Sequence, residues 1–467
     1  MTPGVGRSIY CCLFVLLLLL FEANAAAAAQ QCTEAPFSNG NVSVSGAVIL
    51  RDGLPWAAKG VNSWGLMAPK SKSTNLRFPS FQWPVGNFKP DVLDDMVRFG
   101  ADSVRFLIGQ HYLDPENPHY TPAYIDEITR TVRAARERGL VVVLAMNRSP
   151  EVDITARTIP HFASASTGRA WQSLLKHIGC DHGVIIDIFN EPVNTVREPI
   201  PTAWHAWRTL HQRVIDQLRQ AGAVNPIMVE AMRDGVFASS VAINQPGTGY
   251  KRGNGVCMTG GYPTRVACGT VRTVDENGGA QEVILTDAGV YAGGNQPSSP
   301  VHMTGGSGTG LKLTVTWALA SDCTDCLQEL SLDGVSTYGI IEDPLDQVIY
   351  SLHLYPHKSI AKLENWERHW LYLNGIRPVL IGEWGLDAYV GCDTDLQTYV
   401  VKFLNTVKET RLGIFAWTWS TPNHLFVNPA RSSALTTYAN GITCGTGSAG
   451  PGKTIHRFFK TGDVALE

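Results

Sequence analysis

The stretch VIIDIFNEP, Val184 to Pro192, decides the fold of this 467-residue chain. Its apolar and β-branched residues form a continuous run, which is typical of a strand buried on both faces in a parallel sheet. Pro192 ends the run, because proline fixes φ and has no N–H to donate to a neighbouring strand. The sequence therefore predicts a carboxylate, Glu191, at the C-terminal end of a buried strand. In α/β barrels this end of the strand carries the chemistry.

Seven further apolar runs flank this stretch, and amphipathic helical segments separate most of them. The eight predicted strands begin near Gly60, Ser103, Val141, Val184, Pro226, Val348, Pro378 and Gly413. Helices are predicted over Lys89–Gly100, Pro122–Gly139, Arg169–Gly179, Ala203–Gly222, Asn365–Asn374 and Leu396–Arg411. This alternation favours an α/β fold, a (β/α)8 TIM barrel, because eight is the number of strands in such a barrel. A doubly wound open sheet is the competing fold, but no phosphate-binding glycine turn follows the first strand.

One unit is much longer than the others, which predicts an insertion. Predicted strands start 30 to 43 residues apart, except for 122 residues between the fifth and the sixth. Sixteen of the 45 glycines fall within Gly247–Gly310, where short β-rich runs alternate with glycine turns. We predict an all-β, Gly-rich insertion over 241–338, which divides the barrel into a first part, 26–240, and a second part that includes the C-terminal tail, 339–467. Either a structural β module or a carbohydrate-binding accessory domain fits this composition.

The N-terminal residues predict export. Arg7 precedes the apolar run Cys11–Phe21, and Ala23-Asn24-Ala25 gives a small-residue cleavage pattern, so residues 1–25 are predicted to be a signal peptide. The run is too short for a stable transmembrane anchor, although an uncleaved anchor is the alternative. Eight cysteines then remain, an even number that predicts disulfide bonds in an oxidising compartment. We expect a secreted protein, with glycosylation sequons at Asn41 and Asn147.

Charge and composition exclude several kinds of partner. The formal net charge is only −3, and no strongly basic or acidic segment stands out. Nucleic acid is therefore not an expected partner. No later segment reaches the ~20 apolar residues of a membrane span, so no membrane partner is expected after signal removal. We expect a monomer. Residues 41–56 alternate apolar and polar side chains, which predicts a β-hairpin that closes the N-terminal end of the barrel.

Polar or aromatic residues stand at the C-terminal ends of several predicted strands. Because side chains alternate along a strand, their parity predicts which of them face the barrel mouth. The residues grouped by parity on the second, fourth, sixth, seventh and eighth strands are Ser103, Arg105 and Leu107; Asp187, Phe189 and Glu191; Ser351, His353 and Tyr355; Val379, Ile381 and Glu383; and Phe415, Trp417 and Trp419. These positions place two glutamates, an arginine, a histidine and a tyrosine at one rim.

Two carboxylates in this setting suit the cleavage of a glycosidic bond. One carboxylic acid protonates the leaving oxygen, and an ionised carboxylate about 5–5.5 Å away attacks the anomeric carbon, which gives retention. A cationic Arg105 would keep Glu383 ionised, while crowding and desolvation would hold Glu191 protonated. For either glutamate alone a salt bridge at the barrel rim is an equal alternative; the pair with these neighbours favours chemistry. No metal and no organic cofactor is implied, because two carboxylates suffice.

The motifs SVRF, IIDIFNEP, HLYPH, IGEWG and AWTWS resemble, in order and strand position, those of glycoside hydrolase family 5, the cellulase family of (β/α)8 retaining glycanases. The resemblance covers roughly 41–232 and 340–430 and excludes the insertion. It implies Glu191 as acid/base and Glu383 as nucleophile. It also implies contacts to the substrate or the nucleophile by other residues: Asn190 at the sugar 2-hydroxyl, Arg105 and Tyr355 at the nucleophile, His353 at the acid, and a stacking tryptophan, Trp417 or Trp419, with Trp419 fitting the motif somewhat better.

The end of the third strand departs from the family's pattern. The family usually has a histidine there, whereas this chain has Ala145-Met146-Asn147-Arg148. Asn147 could replace it as a hydrogen-bonding group, or His111 could reach in from the preceding loop. The sequence thus predicts a secreted, retaining endo-β-glycanase with a polysaccharide substrate, β-1,4-glucan such as cellulose or mixed-linkage glucan. Mannan and β-1,3-glucan are alternatives within the family, and a catalytically weakened carbohydrate-binding protein is an alternative of another class.

Overall fold

The computed structural model describes the protein over residues 37–77, 82–147, 162–194, 200–261, 263–292, 296–319, 341–355, 366, 371–386, 394–420, 424–427, 434–437 and 450–466. The predicted signal peptide, 1–25, lies outside these residues, as does half of the predicted helix Asn365–Asn374. Within them, no helix combines the length and apolar character that a membrane crossing requires.

Eight parallel strands close into a barrel. In chain order they are Lys59–Ser63, Ser103–Gly109, Val141–Asn147, Val184–Asp187, Ile227–Glu230, Val348–Leu354, Val379–Trp384 and Gly413–Ala416. The eighth strand pairs with the first, with Ile414 opposite Lys59. The predicted (β/α)8 TIM barrel is therefore confirmed. Because all strands are parallel, their C-terminal ends open at one rim.

Helices cover the outside of the barrel. The described α-helices are Val92–Phe99, Gln110–Leu113, Pro122–Glu137, Ala165–Ile178, Ile200–Gln220, Thr394–Thr410 and Gly452–Thr461, with short 3-10 turns at Lys70–Lys72 and Leu371–Leu373. Local sequence sets several ends. Ser164 and Thr167 form a reciprocal capping box before Ala165–Ile178. Gly100, with φ of 99°, ends the helix Val92–Phe99 in the left-handed conformation that glycine permits.

An apolar cluster fills the N-terminal half of the barrel interior. Its members inside the barrel are Ala58, Val141, Val143, Ile185, Met228, Ile349, Leu380 and Phe415. Phe415 fits because the first strand carries Gly60, where a Cβ would lie 2.2 Å from the Phe415 ring. The hairpin formed by Val42–Ser45 and Val48–Arg51, extended by Leu54–Pro55, packs Val42 and Ile49 against this cluster. The predicted hairpin thus closes the barrel from below, and polar residues occupy the half above.

Strand alternation does not explain how the seventh strand orients its carboxylate. Leu380 lies in the cluster inside the barrel, whereas Val379 and Ile381 pack in the large core between barrel and helices. The prediction that Val379, Ile381 and Glu383 share a face is therefore wrong. The pairing with the sixth strand shifts register between Leu352 and His353, so that His353 lies opposite Glu383. Such an irregularity adds one residue and reverses the later alternation, which brings Glu383 into the barrel.

The insertion is a β-sheet module with a core of its own. Its strands are Arg233–Thr248, Gly255–Met258, Pro263–Arg265, Cys268–Val274, Ala280–Asp287, Val290–Ala292, Val301–Thr304 and Thr309–Leu319. The sheet begins at Arg233, before the predicted boundary at 241, because the fifth barrel strand leads almost directly into it. Its core includes Tyr250, Tyr291 and Leu313. A disulfide joins the paired residues Cys257 and Cys268.

The insertion is also hydrogen-bonded to the barrel rim. The two residues Val193–Asn194, just after Glu191, pair in parallel with Arg233 and Asp234 at the start of the insertion. The loop after the fourth strand is thus tied to the loop after the fifth.

A separate antiparallel pair, Thr74–Arg77 with Gln82–Val85, lies in the chain between the first barrel strand and the helix Val92–Phe99.

Candidate active site

A buried cation, Arg105 on the second strand, organises the polar half of the barrel. Its guanidinium donates to Asp187 Oδ2 (2.9 and 3.0 Å), Asn190 Oδ1 (2.7 Å), Glu230 Oε1 (2.6 Å), Glu383 Oε1 (2.8 Å) and Asn62 Oδ1 (3.1 Å). Burial disfavours the charge, but the facing carboxylates raise the pKa of Arg105 above its ordinary value. A buried charge is tolerated only when it is paired in this way. Arg105 therefore lies in the site, as the sequence predicted.

Glu383 is held from three sides. Its Oε1 accepts from Arg105, its Oε2 accepts from the Tyr355 hydroxyl at 2.6 Å, and Oε2 lies 3.3 Å from His353 Nδ1. Burial raises the pKa of Glu383, and the charges of His353 and Arg105 oppose that rise. Burial and the Glu383 charge raise the pKa of Tyr355 well above its usual range. Tyr355 therefore stays protonated, and its hydroxyl donates a hydrogen bond to Glu383.

Glu191 faces Glu383 across the mouth of the barrel. Oxygens of the two carboxylates and a nitrogen of His353 all lie within 4.8 Å of one another. The Glu191 side chain is 18% exposed and that of Glu383 is 5% exposed, so Glu191 is the carboxylate nearer to solvent. The fourth strand ends at Asp187, and Glu191 follows in a left-handed conformation with φ of 47°. This turn, rather than strand alternation, aims Glu191 at Glu383.

His353 connects the carboxylates. Its Nδ1 lies 3.0 Å from Glu191 Oε1, and its Nε2 lies 3.3 Å from Glu230 Oε1. Burial alone would lower the pKa of His353, but the charges of Glu230 and Glu383 raise it to about 10. This shift favours the protonated imidazole at neutral pH, with Nδ1 hydrogen-bonded to Glu191 and Nε2 facing the Glu230 carboxylate.

Glu230, the last residue of the fifth strand, is a site residue that the sequence reasoning missed. Its Oε1 accepts from Arg105, and its Oε2 accepts the backbone N–H of Glu191 at 2.7 Å. Burial opposes ionisation, but His353 and Arg105 lower the pKa of Glu230 to about 2. Burial and the Glu230 charge raise the pKa of Asp187 well above its usual range, so Asp187 is the neutral member of this pair. A carboxylate ending a buried run, as in PIMVEAM, was the signal available in the sequence.

The remaining predicted residues lie at different depths. Asn190 accepts from Arg105 and so belongs to the network. Asn147 ends the third strand, but its amide nitrogen faces the Met67 sulfur at 3.4 Å. Trp417 packs edge-to-face on Trp64, with ring centroids 4.7 Å apart.

The structure separates Trp419 from Trp417. The Trp419 ring is 3% exposed and packs against Phe99 and Phe426 in the core outside the barrel. The parity that grouped Phe415, Trp417 and Trp419 fails because the eighth strand ends at Ala416. This placement corrects the preference for Trp419 as a stacking residue, since a core ring cannot meet a sugar in the barrel mouth.

Glu191, His353 and Glu383 are also the one group of potential metal ligands that the described part of the chain brings together. Their donor atoms are already engaged. A doubly protonated His353 has no lone pair for a metal, and both oxygens of Glu383 accept from Arg105 or Tyr355. The arrangement suits a carboxylate pair bridged by an imidazolium.

Comparisons with known proteins bear on the fold and on the family. The catalytic domain of the Thermobifida fusca endoglucanase Cel5A is 13% identical with a TM-score of 0.50, covering 91% of this chain and 98% of that one. A variant of that domain in complex with cellotetraose is 12% identical with a TM-score of 0.51 and the same coverage. These likenesses show the fold, and no curated protein matches the chain. Residues 67–423 match the family described as cellulase, glycosyl hydrolase family 5. Because this match spans most of its length, the chain belongs to that family and is a glycoside hydrolase.

Proposed function

We propose that the protein is a secreted, retaining endo-β-glycanase that hydrolyses β-1,4-glucan by double displacement. The separation of Glu191 and Glu383, whose nearest oxygens lie within 4.8 Å, carries this proposal. Retaining glycosidases place their carboxyl groups about 5–5.5 Å apart, whereas inverting enzymes need about 6.5–9.5 Å to admit a water molecule. The observed separation supports direct attack by a carboxylate.

In the proposed mechanism Glu383 is the nucleophile. Arg105 and Tyr355 fix one oxygen each, so the attacking lone pair is oriented before substrate binds. As an oxygen of Glu383 bonds to the anomeric carbon, Glu191 gives its proton to the departing glycosidic oxygen. Glu191 then takes a proton from water, which attacks the same carbon and releases Glu383.

The charges around the pair support Glu191 as the acid. Two cations, Arg105 and His353, face two anions, Glu230 and Glu383. The buried network is thus neutral without a charge on Glu191, and the greater exposure of Glu191 lets it exchange protons with water. Asn190, whose amide oxygen accepts from Arg105, is oriented to present its NH₂ group to a sugar hydroxyl.

The choice of β-1,4-glucan is supported by the family and by a similar fold that binds cellotetraose. Mannan and β-1,3-glucan are the alternatives inside the family, and Asn147 in place of the usual histidine bears on this choice. A weakened carbohydrate-binding protein is the second candidate function, which the intact carboxylate pair disfavours.

Product analysis on a panel of soluble glucans and mannans tests the proposal. We expect cello-oligosaccharides of several lengths from cellulosic substrate, and the β-anomer first when the reaction is followed by proton NMR. Release of the α-anomer first would overturn retention, and a single short product would overturn endo cleavage. If the protein binds polysaccharide without cleaving any member of the panel, the second candidate function replaces the first.

Replacing each tryptophan in turn separates their roles. Trp417→Ala is expected to reduce kcat/KM about tenfold, because it removes the ring proposed to stack on the sugar, and also to reduce stability, because this ring is 8% exposed and packs on Trp64. Trp419→Ala is expected to reduce the free energy of unfolding by about 3–5 kcal/mol, because the cavity opens in the core. Denaturant titration and steady-state kinetics on the two variants check both effects. The reverse assignment would show that Trp419 reaches the substrate.

Deleting Gly247–Gly310 tests the role of the insertion. Pro246 and Leu311 are register partners in an antiparallel pair, so an Asn-Gly turn can join them. Leu311 and Leu313 lose their cover and are changed to threonine in the same variant. We expect kcat/KM on soluble substrate to stay within about threefold, because rim insertions contribute little to the core.

Binding of the deletion variant to insoluble polymer decides between the two roles of the insertion. Weaker binding would assign a carbohydrate-binding role, and unchanged binding a structural one. Within the deleted segment the described aromatic residues, Tyr250 and Tyr291, are buried, which favours the structural role. Loss of folding would show that the barrel depends on the module.

A further inference from the structure

Glu230 contacts the machinery of the proposed mechanism without reaching the site of bond cleavage. It is 2% exposed and ends the fifth strand, beneath Glu191 and Glu383. One oxygen accepts from Arg105 and lies 3.3 Å from His353 Nε2, and the other accepts the backbone N–H of Glu191. A single carboxylate thus joins the acid's backbone to the two cations of the site.

The conformation of Glu191 requires such a contact. Its φ of 47° lies in the left-handed region, which a glutamate rarely adopts unless the surroundings hold it there. Backbone hydrogen bonds to the neighbouring strands continue to Asn190, whose N–H donates to Met146 O at 2.8 Å, whereas the next N–H, that of Glu191, donates to a side chain. The Glu230 oxygen at 2.7 Å supplies the hydrogen bond that the turn needs. Deep burial and the contact to Arg105 in turn fix Glu230.

We propose that Glu230 is a positioning residue, which holds the backbone of Glu191 and the His353 cation so that the acid faces the nucleophile. This inference rests on the proposed function and adds a residue to it. Glu230 does not touch the substrate; it acts through Glu191 and His353.

The charge of Glu230 predicts a readout beyond turnover. The charged and titratable groups facing His353 are Glu191, Glu230 and Glu383, with Arg105 and Asp187 behind them. Glu230 makes the largest contribution to the raised pKa of His353. Removing its negative charge therefore favours loss of protons from His353 and Glu191, and ionisation of Glu383 at lower pH. The acid limb of the pH profile of kcat/KM reports ionisation of Glu383, and the alkaline limb reports loss of the Glu191 proton. Both limbs should move to lower pH.

The test compares three variants in the full-length protein. Glu230→Gln keeps the shape, but its amide has one acceptor oxygen, so its NH₂ group must face either the Glu191 N–H or the Arg105–His353 side. Glu230→Asp keeps the charge and shortens the side chain. Asp187→Asn is the matched control, because Asp187 is a buried, already neutral partner of the same Arg105. Near-ultraviolet circular dichroism and the pH profile of kcat/KM are recorded for each, with Glu383→Gln as the inactive baseline.

We expect Glu230→Gln to lower kcat on the order of 10²-fold with KM little changed, as a small misplacement of a reacting group does, and to move both limbs down by about one pH unit. Glu230→Asp should lower kcat while its limbs stay at the wild-type positions, and Asp187→Asn should leave the limbs unmoved.

Two kinetic results would overturn the role of Glu230. One is wild-type kcat and limbs in a folded Glu230→Gln. The other is a fall in kcat with unmoved limbs, which marks a merely structural residue. If Glu230→Gln does not fold, displaced limbs in Glu230→Asp would overturn it instead. A wild type as inactive as Glu383→Gln would overturn the proposed function itself, which none of the other outcomes does.

Discussion

Glu383→Gln is expected to lower kcat/KM on cello-oligosaccharides on the order of 10⁴-fold or more, because it removes the attacking carboxylate. Glutamine preserves the side-chain volume and one acceptor for Arg105 or Tyr355, so the fold should be retained. Substrate binding should persist, since the sugar contacts come from other residues. Steady-state kinetics and equilibrium binding of cellotetraose to the variant check both parts of this prediction.

A matched control separates the chemistry from the loss of one negative charge. Glu342→Gln removes a glutamate whose side chain is 82% exposed and pairs with Arg208 rather than with a residue of the site. We expect it to match the wild type in rate and in stability. Azide provides a further check: with Glu383→Ala it can attack in place of the missing carboxylate and give an α-glycosyl azide. Wild-type turnover by Glu383→Gln would remove Glu383 from the role of nucleophile.

Arg105→Met is expected to lower the free energy of unfolding by about 3–5 kcal/mol at neutral pH, because it leaves buried carboxylates without their cation. Glu230 and Glu383 would face each other across the barrel with only His353 to offset them. Urea titration measures the loss, and turnover should vanish with it because Glu383 loses its orientation.

The pH dependence of this loss has a defined sign. The folded-state pKa of Glu230 is lowered to about 2 from an ordinary value of 4.5. The stability that this carboxylate gains from His353 and Arg105 is therefore full above pH 4.5 and is lost as pH falls through 2. The deficit of Arg105→Met relative to the wild type should shrink over the same range. A deficit that grows towards acid pH would contradict the pairing.

Arg138→Met is the matched control for Arg105→Met. Arg138 makes a bidentate ion pair with Asp94, with hydrogen bonds of 2.7 and 3.0 Å. Unlike Arg105, this pair is exposed to solvent: the Arg138 side chain is 29% exposed and that of Asp94 is 49% exposed. Exposed ion pairs contribute about 0.2–1 kcal/mol, so this variant should lose no more than that. Equal losses in the two arginine variants would show that burial is not what makes Arg105 important.

The sequence predicted the barrel and most of the site because both depend on local patterns. Apolar runs mark the buried strands, and their C-terminal residues meet at one rim whatever the details of packing. Arg105 and His353 follow strand alternation, so their orientation could be predicted. Glu191 and Glu383 were found for a weaker reason: one depends on a left-handed turn and the other on a register shift. The alternation of apolar and polar residues along the sequence reveals neither the left-handed turn nor the register shift.

Two residues show where local reasoning ends. Glu230 was missed because a glutamate at a strand end gains meaning only when Arg105, His353 and the Glu191 backbone are placed around it. Trp419 was preferred because it fits the family's motif somewhat better than Trp417, but the eighth strand ends at Ala416 and the Trp419 ring packs against Phe99 and Phe426. In both cases contacts between distant segments decide the outcome, and these contacts have no counterpart in the spacing of residues along the chain.

The ladder between Val193–Asn194 and Arg233–Asp234 limits how rim loops can be exchanged between barrels. Loop grafting treats each loop after a barrel strand as an independent cassette. Here the peptide that follows the proposed proton donor forms its hydrogen bonds with the first residues of the insertion, so the loops after the fourth and fifth strands form one unit. A chimera that transplants the insertion must carry the Asn190–Asn194 turn with it, and one that replaces that turn must keep the backbone at Arg233.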